Sequence, residues 1–466
     1  MTSAVDHWYL ARLGSRGDVP AFIWGGGAMT YADLFKATVS WLNRLKQQGI
    51  AASDRVVVLG DHSPSNFALL LALAIRKTVV VPLTHLPDEV LQTRCTMACA
   101  NWLISGGGHG DVGDSDGAEK AAADTATIKP LDAPPPHQLQ KQLSNADRAG
   151  LILFSSGSAG TPKTCLLDLD ALLETTRVER KSFVTMAFLL FDHIGGINTM
   201  INMLGQGGTI VVPPDRTVAT TAALIEAHGI SLLPTSPTFL KMLLMSDAAA
   251  RHDLSSLELI TYGTEVMPET TLKALQEAFP DVRLKQTYGL SEIGIVPTRS
   301  KSAGSLWLEI GGSNVEYEVR DDILWLRAPT AMLGYLNAES PFDADGWLDT
   351  GDRVEVDGKY LRILGRDSEL INIGGEKVHP SEVENVLLEA PNIVDATVIA
   401  RANPVMGSVL TAMVRLQTDE DGRALKKRLG EYCRQRLEQH KVPMMFKISE
   451  TPLHSQRFKK NRDVAS

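Results

Sequence analysis

At 466 residues the chain is longer than one ordinary domain, and roughly two to four units are expected. Hydrophobic residues make up 44% and charged residues 22%, which supplies a sizeable core and excludes global disorder. The net charge of -9 has the wrong sign for a protein whose main partner is nucleic acid.

The start, MTSAVDHWYL, has neither the basic n-region nor the apolar h-region of a targeting signal. The most apolar stretch, 67–83, is broken by Arg76 and Lys77, so it predicts no membrane span. A soluble, cytoplasmic protein is expected. Four cysteines make no disulfide framework in a chain of this length. Cys95 and Cys99 sit one helical turn apart, with no further Cys or His at metal spacing nearby, and read as reduced thiols.

The first third alternates helix and strand. Thr30 and Asp33 make an S/T-x-x-D/E start for a helix with Leu34, Phe35, Trp41, Leu42 and Leu45 on one side. RVVVLG (55–60) is all apolar, as a strand buried on both faces would be. SNFALLLALAIRK then predicts a helix and TVVVPL a strand, a β-α-β rhythm that calls for a parallel sheet. Residues 106–136 are rich in Gly, Ala, Asp and Pro and predict a surface insertion with little fixed structure, in which His109 is a plain loop residue.

The rhythm resumes at LILFSS (151–156). It continues through GGTIVVPP with TVATTAALIEAHG, ISLLPT with SPTFLKMLLMS, and LELITYG with MPETTLKALQEAF, with Pro268 in a first helical turn. RLKQTYG (283–289) closes the set. From about 306 to 365 helices stop; LWLEI, VEYEV and ILWLRA predict strands, and RVEV-DG-KYLRILG predicts a hairpin on an Asp357-Gly358 type I′ turn. After Gly365 come a helix (PSEVENVLLEA), two strands (VDATVIA, LTAMVRL) and a helix (423–439).

The expected fold is therefore α/β. A large N-terminal domain, 1–365, carries alternating β/α sheets and a small β-barrel-like part; a small α+β C-terminal domain, 366–466, follows. The last forty residues carry an excess of Lys and Arg. They serve either as a solvated face or as a dock for phosphates or an acidic partner.

The first chemical signal is Ser155-Ser156-Gly157-Ser158-Ala159-Gly160-Thr161-Pro162-Lys163, directly after an apolar strand. Small residues let backbone N–H groups approach an anion, hydroxyls add donors, and Lys163 adds charge. A Walker A loop would need Gly before the lysine. Pro162 stands there, with no N–H to give, which argues against a P-loop kinase or GTPase.

Three further segments follow: Gln286-Thr287-Tyr288-Gly289-Leu290-Ser291-Glu292, then Thr350-Gly351-Asp352, then Gly365-Arg366-Asp367 leading into Ile373-Gly374-Gly375-Glu376-Lys377-Val378-His379-Pro380-Ser381-Glu382-Val383-Glu384. In this order and spacing the set resembles the adenylate-forming superfamily of acyl- and aryl-CoA synthetases, peptide-synthetase adenylation domains and luciferase. The resemblance runs from Met29 to about Arg462.

The resemblance implies attack of a carboxylate oxygen on the α-phosphate of ATP. It implies that Ser155, Ser156, Gly157, Ser158, Gly160, Thr161 and Lys163 hold the β- and γ-phosphates, with Ala159 where Thr is usual. Gly263, Thr264 and Glu265 would line adenine, with Tyr288 and Gly289 beside it. Ser291 and Glu292 would lie near the phosphates, with Glu292 on Mg²⁺. Asp352 would take both ribose hydroxyls, and Arg366 would reach ribose or phosphate where the two domains join. The small domain would be mobile, swinging between an adenylating and a thiol-transferring pose, with Ser368 where the hinge usually has Asp or Lys. Gly374 and Gly375 would flank a pantetheine tunnel, while Glu382 and Glu384 would favour a helix N-terminus. Lys459 would be the catalytic cation, with Lys460 as fallback and Phe458 where glycine is usual.

Leu190-Phe191-Asp192-His193-Ile194-Gly195-Gly196 matches one wall of the acid pocket. If His193 aligns with the gating histidine, Ile194 falls at the amine-sensing place and the acid lacks an α-amine. If Asp192 takes that place, an amino acid is expected. GGEKVHPSEVE favours the non-amino acid, and Gly195 and Gly196 are expected to leave room beside the pocket. The acceptor implied is CoA or the phosphopantetheine of a separate carrier protein. A non-catalytic nucleotide-binding homologue is the alternative of a different class.

Overall fold

The computed structural model describes residues 7–25, 27–106, 126–155, 161–312, 314–373, 376–403, 407–451 and 453–454. Ser156, Gly157, Ser158, Ala159, Gly160, Gly374, Gly375, Phe458, Lys459 and Lys460, together with His109, lie outside them.

Two seven-stranded sheets organise the large N-terminal domain. The first runs Gly334–Tyr335, Lys163–Asp168, Gly150–Ser155, Val79–Leu83, Arg55–Leu59, Trp102–Ser105, Thr127–Pro130 from edge to edge. Its centre is the pair expected from RVVVLG and TVVVPL, parallel, with Val57 opposite Val81. Val56, Val57, Val58, Val80 and Val81 are fully buried, so both faces are covered, as a parallel sheet requires. The helix between them, Pro64–Ile75, is apolar all round and buried from Pro64 to Ala74. Ser63 caps it by accepting the Asn66 N–H at 3.0 Å.

The expectation for 106–136 needs correction at its C-terminal part. Thr127–Pro130 is an edge strand, antiparallel to Trp102–Ser105 with Ile128 opposite Ile104. His137 then caps the helix Gln138–Asn145 in a reciprocal box with Gln140. Four residues beside a Pro-rich run are too few to show a period of two.

The second sheet runs Arg283–Gln286, Leu259–Tyr262, Leu232–Thr235, Val184–Met186, Thr209–Val211, Pro20–Trp24, Gly27–Thr30. All neighbours are parallel except the final pair. Thr235, Tyr262 and Gln286 stand in register at the carboxyl ends of three adjacent strands, where open α/β sheets bind ligands. Pro268 is the N-cap of the helix Glu269–Ala278, one residue before its first turn.

The β part is a six-stranded antiparallel sheet whose edge strands, Thr298–Ser300 and Glu316–Arg320, do not pair among the described residues. Its hairpin joins Leu348–Asp357 to Tyr360–Arg366 with Asp357 opposite Tyr360. The turn residues are thus Gly358 and Lys359, with positive φ at Gly358 alone. This is the type II′ pattern rather than the expected I′. The small C-terminal domain packs the helices Pro380–Glu389 and Gly422–Arg434 with a three-stranded sheet over its own core of Val383, Leu387, Val398, Ala412, Leu425 and Leu429.

Candidate active site

A cavity of about 1500 Å³ opens at the carboxyl ends of the second sheet. The helix Ile194–Gln206 walls one side, and Asp352 and Arg366 of the antiparallel sheet another. Ser381, Glu384, Arg415 and His454 of the C-terminal domain also line it.

Glu292 is set by a small hairpin, Tyr288–Leu290 against Gly294–Val296. A Cβ at Gly289 would lie 2.5 Å from the Gly294 carbonyl oxygen, so glycine lets the two strands close. The Glu292 carbonyl accepts the Met332 N–H at 2.8 Å. Its carboxylate Oε1 accepts the Ser155 hydroxyl at 3.1 Å and the Tyr335 hydroxyl at 2.7 Å. Burial, reinforced by Glu292, pushes the Tyr335 phenol and the neighbouring Cys165 thiol well up, so both stay protonated. Lys163 Nζ sits 4.9 Å over the Tyr335 ring. Glu292 Oε2 makes no hydrogen bond or ion pair among the described residues. A lone carboxylate oxygen of this kind suits Mg²⁺, which takes one or two protein carboxylates and completes its shell with phosphate and water.

Asp352 is buried opposite Arg366 across the hairpin. The Tyr288 hydroxyl donates to Oδ2, Arg366 Nε stands 3.4 Å from Oδ1, and the Asp352 N–H donates to Thr350 Oγ1 at 3.0 Å. Burial raises the Asp352 carboxyl above its usual range, with Arg366 opposing. The Arg366 guanidinium is stabilised in its charged form: burial works against it, but Asp352 and Glu292 more than offset that. Arg366 therefore joins the ribose and metal halves of the expected site electrostatically.

On the sheet side, Thr287 donates its N–H to the Tyr262 carbonyl at 2.8 Å, and a Cβ at Gly263 would meet Thr287 Oγ1 at 2.7 Å. Thr264 follows with φ 74°. Glu265 lines the cavity, yet its Oε1 accepts the Thr238 N–H at 2.7 Å in the first turn of the helix Pro237–Met245. Gln286 is buried in the wall with no partner for Oε1 among the described residues, an acceptor of the sort an exocyclic amine would satisfy.

His193 caps the helix Ile194–Gln206, its Nδ1 accepting the Gly195 N–H at 3.0 Å, and His193, Ile194 and Gly195 line the cavity. Asp192 does not. It is buried, and its Oδ2 accepts the Thr84 hydroxyl at 3.2 Å. The room expected at Gly195 and Gly196 is also corrected. A Cβ on Gly196 would lie 2.0 Å from the Leu190 carbonyl oxygen, and one on Gly195 would lie 2.7 Å from Leu189 Cδ1. These glycines let the helix start close against the preceding loop rather than widen the pocket.

The described site residues that line the cavity are Ser155, His193, Ile194, Gly195, Gly263, Thr264, Glu265, Tyr288, Gly289, Ser291, Glu292, Asp352 and Arg366. Thr161 is exposed outside it, and Lys163 lies behind the wall, over the ring of Tyr335, whose hydroxyl bonds to Glu292. Glu384 differs from expectation. It is buried and its Oε1 accepts the Val398 N–H at 2.8 Å, tying helix to sheet, whereas Glu382 pairs with Lys441 at 2.8 Å. Tyr335, which sequence reasoning missed, sits in a two-residue strand after Gly334, too short for any pattern to mark it.

A family model for AMP-binding enzymes matches residues 11–336, and the model for the C-terminal domain of such enzymes matches residues 382–457. The chain is similar to an indoleacetate–CoA ligase of Aromatoleum aromaticum, 28% identical over 445 residues and 83% of each chain. It is also similar to a fatty acid–[acyl-carrier-protein] ligase of Mycobacterium marinum, 26% identical over 86% of this chain and 85% of that one. Its fold matches that of the o-succinylbenzoate CoA synthetase of Bacillus subtilis with a TM-score of 0.76, at 20% identity over 98% of this chain and 97% of the other. The chain belongs to the AMP-binding enzyme family.

Proposed function

We propose that this protein activates a small carboxylic acid, one without an α-amino group, as an acyl-adenylate, and then passes the acyl group to a thiol. The observation that carries this reading is the meeting of Glu292, Asp352, Arg366 and Tyr288 in one cavity with His193 and Ile194. The CoA ligase and carrier-protein ligase among its relatives support a thiol acceptor, either CoA or a separate carrier's phosphopantetheine. The position of Asp192, off the cavity and bonded to Thr84, supports an acid without an amine.

In the first step an acid oxygen bonds to the α-phosphorus of ATP as the bond to pyrophosphate breaks; in the second a thiolate bonds to the acyl carbon and AMP leaves. Bound Mg²⁺ would neutralise phosphate charge. Glu292 would hold it through Oε2, with Ser155 and Tyr335 fixing Oε1. The loop Ser155, Ser156, Gly157, Ser158, Gly160, Thr161 and Lys163 would supply donors and one cation to the outer phosphates, with Ser291 beside them. Gly263, Thr264 and Glu265 would flank the base, with Tyr288 and Gly289 opposite. Asp352 would accept from the ribose hydroxyls, held by Tyr288 and Arg366. His193, Ile194 and Gly195 would border the reacting carboxylate. Lys459, outside the described residues, would place a cation at the reacting oxygens as the C-terminal domain swings in.

Among the described residues no helix is long and apolar enough to cross a membrane, and a reaction that draws on ATP and CoA fits the cytoplasm. ATP–pyrophosphate exchange with a panel of acids, with and without α-amines, tests the reading. Exchange confined to non-amino acids, abolished by about two decades in Lys459→Ala, is expected. Exchange with amino acids alone would overturn the choice of acid, and unchanged exchange in the variant would overturn the role of Lys459.

A further inference from the structure

The end of the cavity at Gln206 gathers more cations than carboxylates: Arg180, Lys181, Arg283 and Lys285 against Glu174. The cavity follows one face of the helix Ile194–Gln206, lined by Ile194, Asn198, Asn202 and Gln206, so it extends about 18 Å at the usual helical rise. Met203 near the helix end, with Leu232 and Leu259 level with Arg283 across the sheet, adds apolar surface to this end. At the far end Gln206 Oε1 accepts the Arg180 N–H at 2.9 Å.

Arg180, Arg283 and Lys285 all line the cavity here. Arg283 and Lys285 are two apart on the strand Arg283–Gln286 and so share a face. Burial depresses the Lys285 ammonium, and Arg283 and Arg180 add like-charge repulsion. Among the described residues no carboxylate lies within ion-pair distance of any of the three. Their neighbours differ: Lys181 is paired with Glu258, and Glu174 is held by Arg148 at 3.1 Å. A half-buried ammonium facing two guanidinium groups is costly unless an anion joins them.

We infer that the acid this enzyme activates is elongated and carries a second anionic group at its far end, bound by Lys285 with Arg180 and Arg283. The inference rests on the adenylation reading and deepens it. Lys285 precedes Tyr288 by three residues, which span at most about 10 Å of chain and suit a medium-length α,ω-dicarboxylic acid.

The test is ATP–pyrophosphate exchange without CoA, comparing octanoate and decanoate with suberate and sebacate and with the matching ω-phosphonoalkanoates. The dianionic acids should exceed the monoacids about tenfold or more in kcat/KM. Preference for the phosphonates over the dicarboxylates would identify a phosphoryl rather than a carboxylate tail. Lys285→Glu should reverse the preference and Lys285→Arg should keep it. Arg283→Ala, at an exposed position, should lower the ratio of dianion to monoacid kcat/KM severalfold. Equal rates for monoacids and diacids, or variants that change only the KM for CoA in thioester formation, would overturn the inference while leaving adenylation intact. Exchange with no acid at all would overturn both.

Discussion

The Tyr335 hydroxyl donates to Glu292 Oε1 at 2.7 Å while the Tyr335 ring lies under Lys163 Nζ at 4.9 Å. One side chain thus orders a carboxylate and a cation that come from two separate motifs, 286–292 and 155–163. Tyr335→Phe keeps the ring under Lys163 and removes only the hydrogen bond. A hydrogen bond to a charged group contributes about 1.5–3 kcal/mol, so exchange should fall about tenfold to a hundredfold. The Mg²⁺ concentration for half-maximal rate should rise as well. Glu292→Gln should cost at least as much, and an unchanged Mg²⁺ profile in both variants would exclude Glu292 as the metal's carboxylate.

Asp352 sets function against stability. Its carboxyl is raised on folding, chiefly by burial. A carboxyl raised on folding holds its proton better in the native state, so its ionisation subtracts stability as pH rises through the folded value. At neutral pH the ionised group is a net cost to the fold. Asp352→Asn should therefore raise the melting temperature of the ligand-free protein by about 2 °C and weaken ATP binding about tenfold or more. Calorimetry with and without ATP would read both. A lower melting temperature would mean that the pair with Arg366 outweighs burial.

His62 predicts an acid limit to stability. It is buried, its Nε2 donates to the Leu189 carbonyl at 2.6 Å, and its Nδ1 has no partner among the described residues. Burial lowers its pKa and Arg216 adds to this, against the pull of Asp61 and Asp192. A histidine depressed on folding gives stability that is present above its unfolded value, near 6.5, and is lost as pH falls through the folded one. His62→Gln keeps a donor for Leu189. Melting curves from pH 7 to pH 5 should decline less steeply in the variant, and parallel curves would show that another group sets the acid limit.

How much was legible in the sequence follows from range. The run 55–60 and its neighbours announced a parallel sheet because both-face burial writes itself into consecutive valines. The ordered motifs brought Glu292, Asp352 and Arg366 together because each is embedded in a local turn that sequence spells out. Side-chain partners far apart in the chain left no such mark. Tyr335 on Glu292, Thr84 on Asp192, and Arg180 beside Lys285 are products of packing, and a lone lysine in RLKQ reads like any edge residue. Glycine was the most misleading signal, since Gly195 and Gly196 read as open space and serve as close contact.

That close contact makes the final prediction. A Cβ on Gly196 would stand 2.0 Å from the Leu190 carbonyl oxygen and 2.8 Å from that of Leu189. Both obstacles are backbone, so no side-chain rotation relieves them; either the loop before His193 or the helix start must move. The Leu190 oxygen also accepts the His193 N–H at 3.1 Å, which couples such a movement to His193 itself. Gly196→Ala should therefore cost about 1–3 kcal/mol in denaturant unfolding and reduce exchange through a raised KM for the acid. Gly422→Ala is the matched control: it opens the helix Gly422–Arg434, its Cβ would meet nothing within 4 Å, and alanine there should be neutral or stabilising by about 0.5 kcal/mol. Equal effects of the two substitutions would show that helix propensity, not the clash with Leu190, governs the acid-side wall.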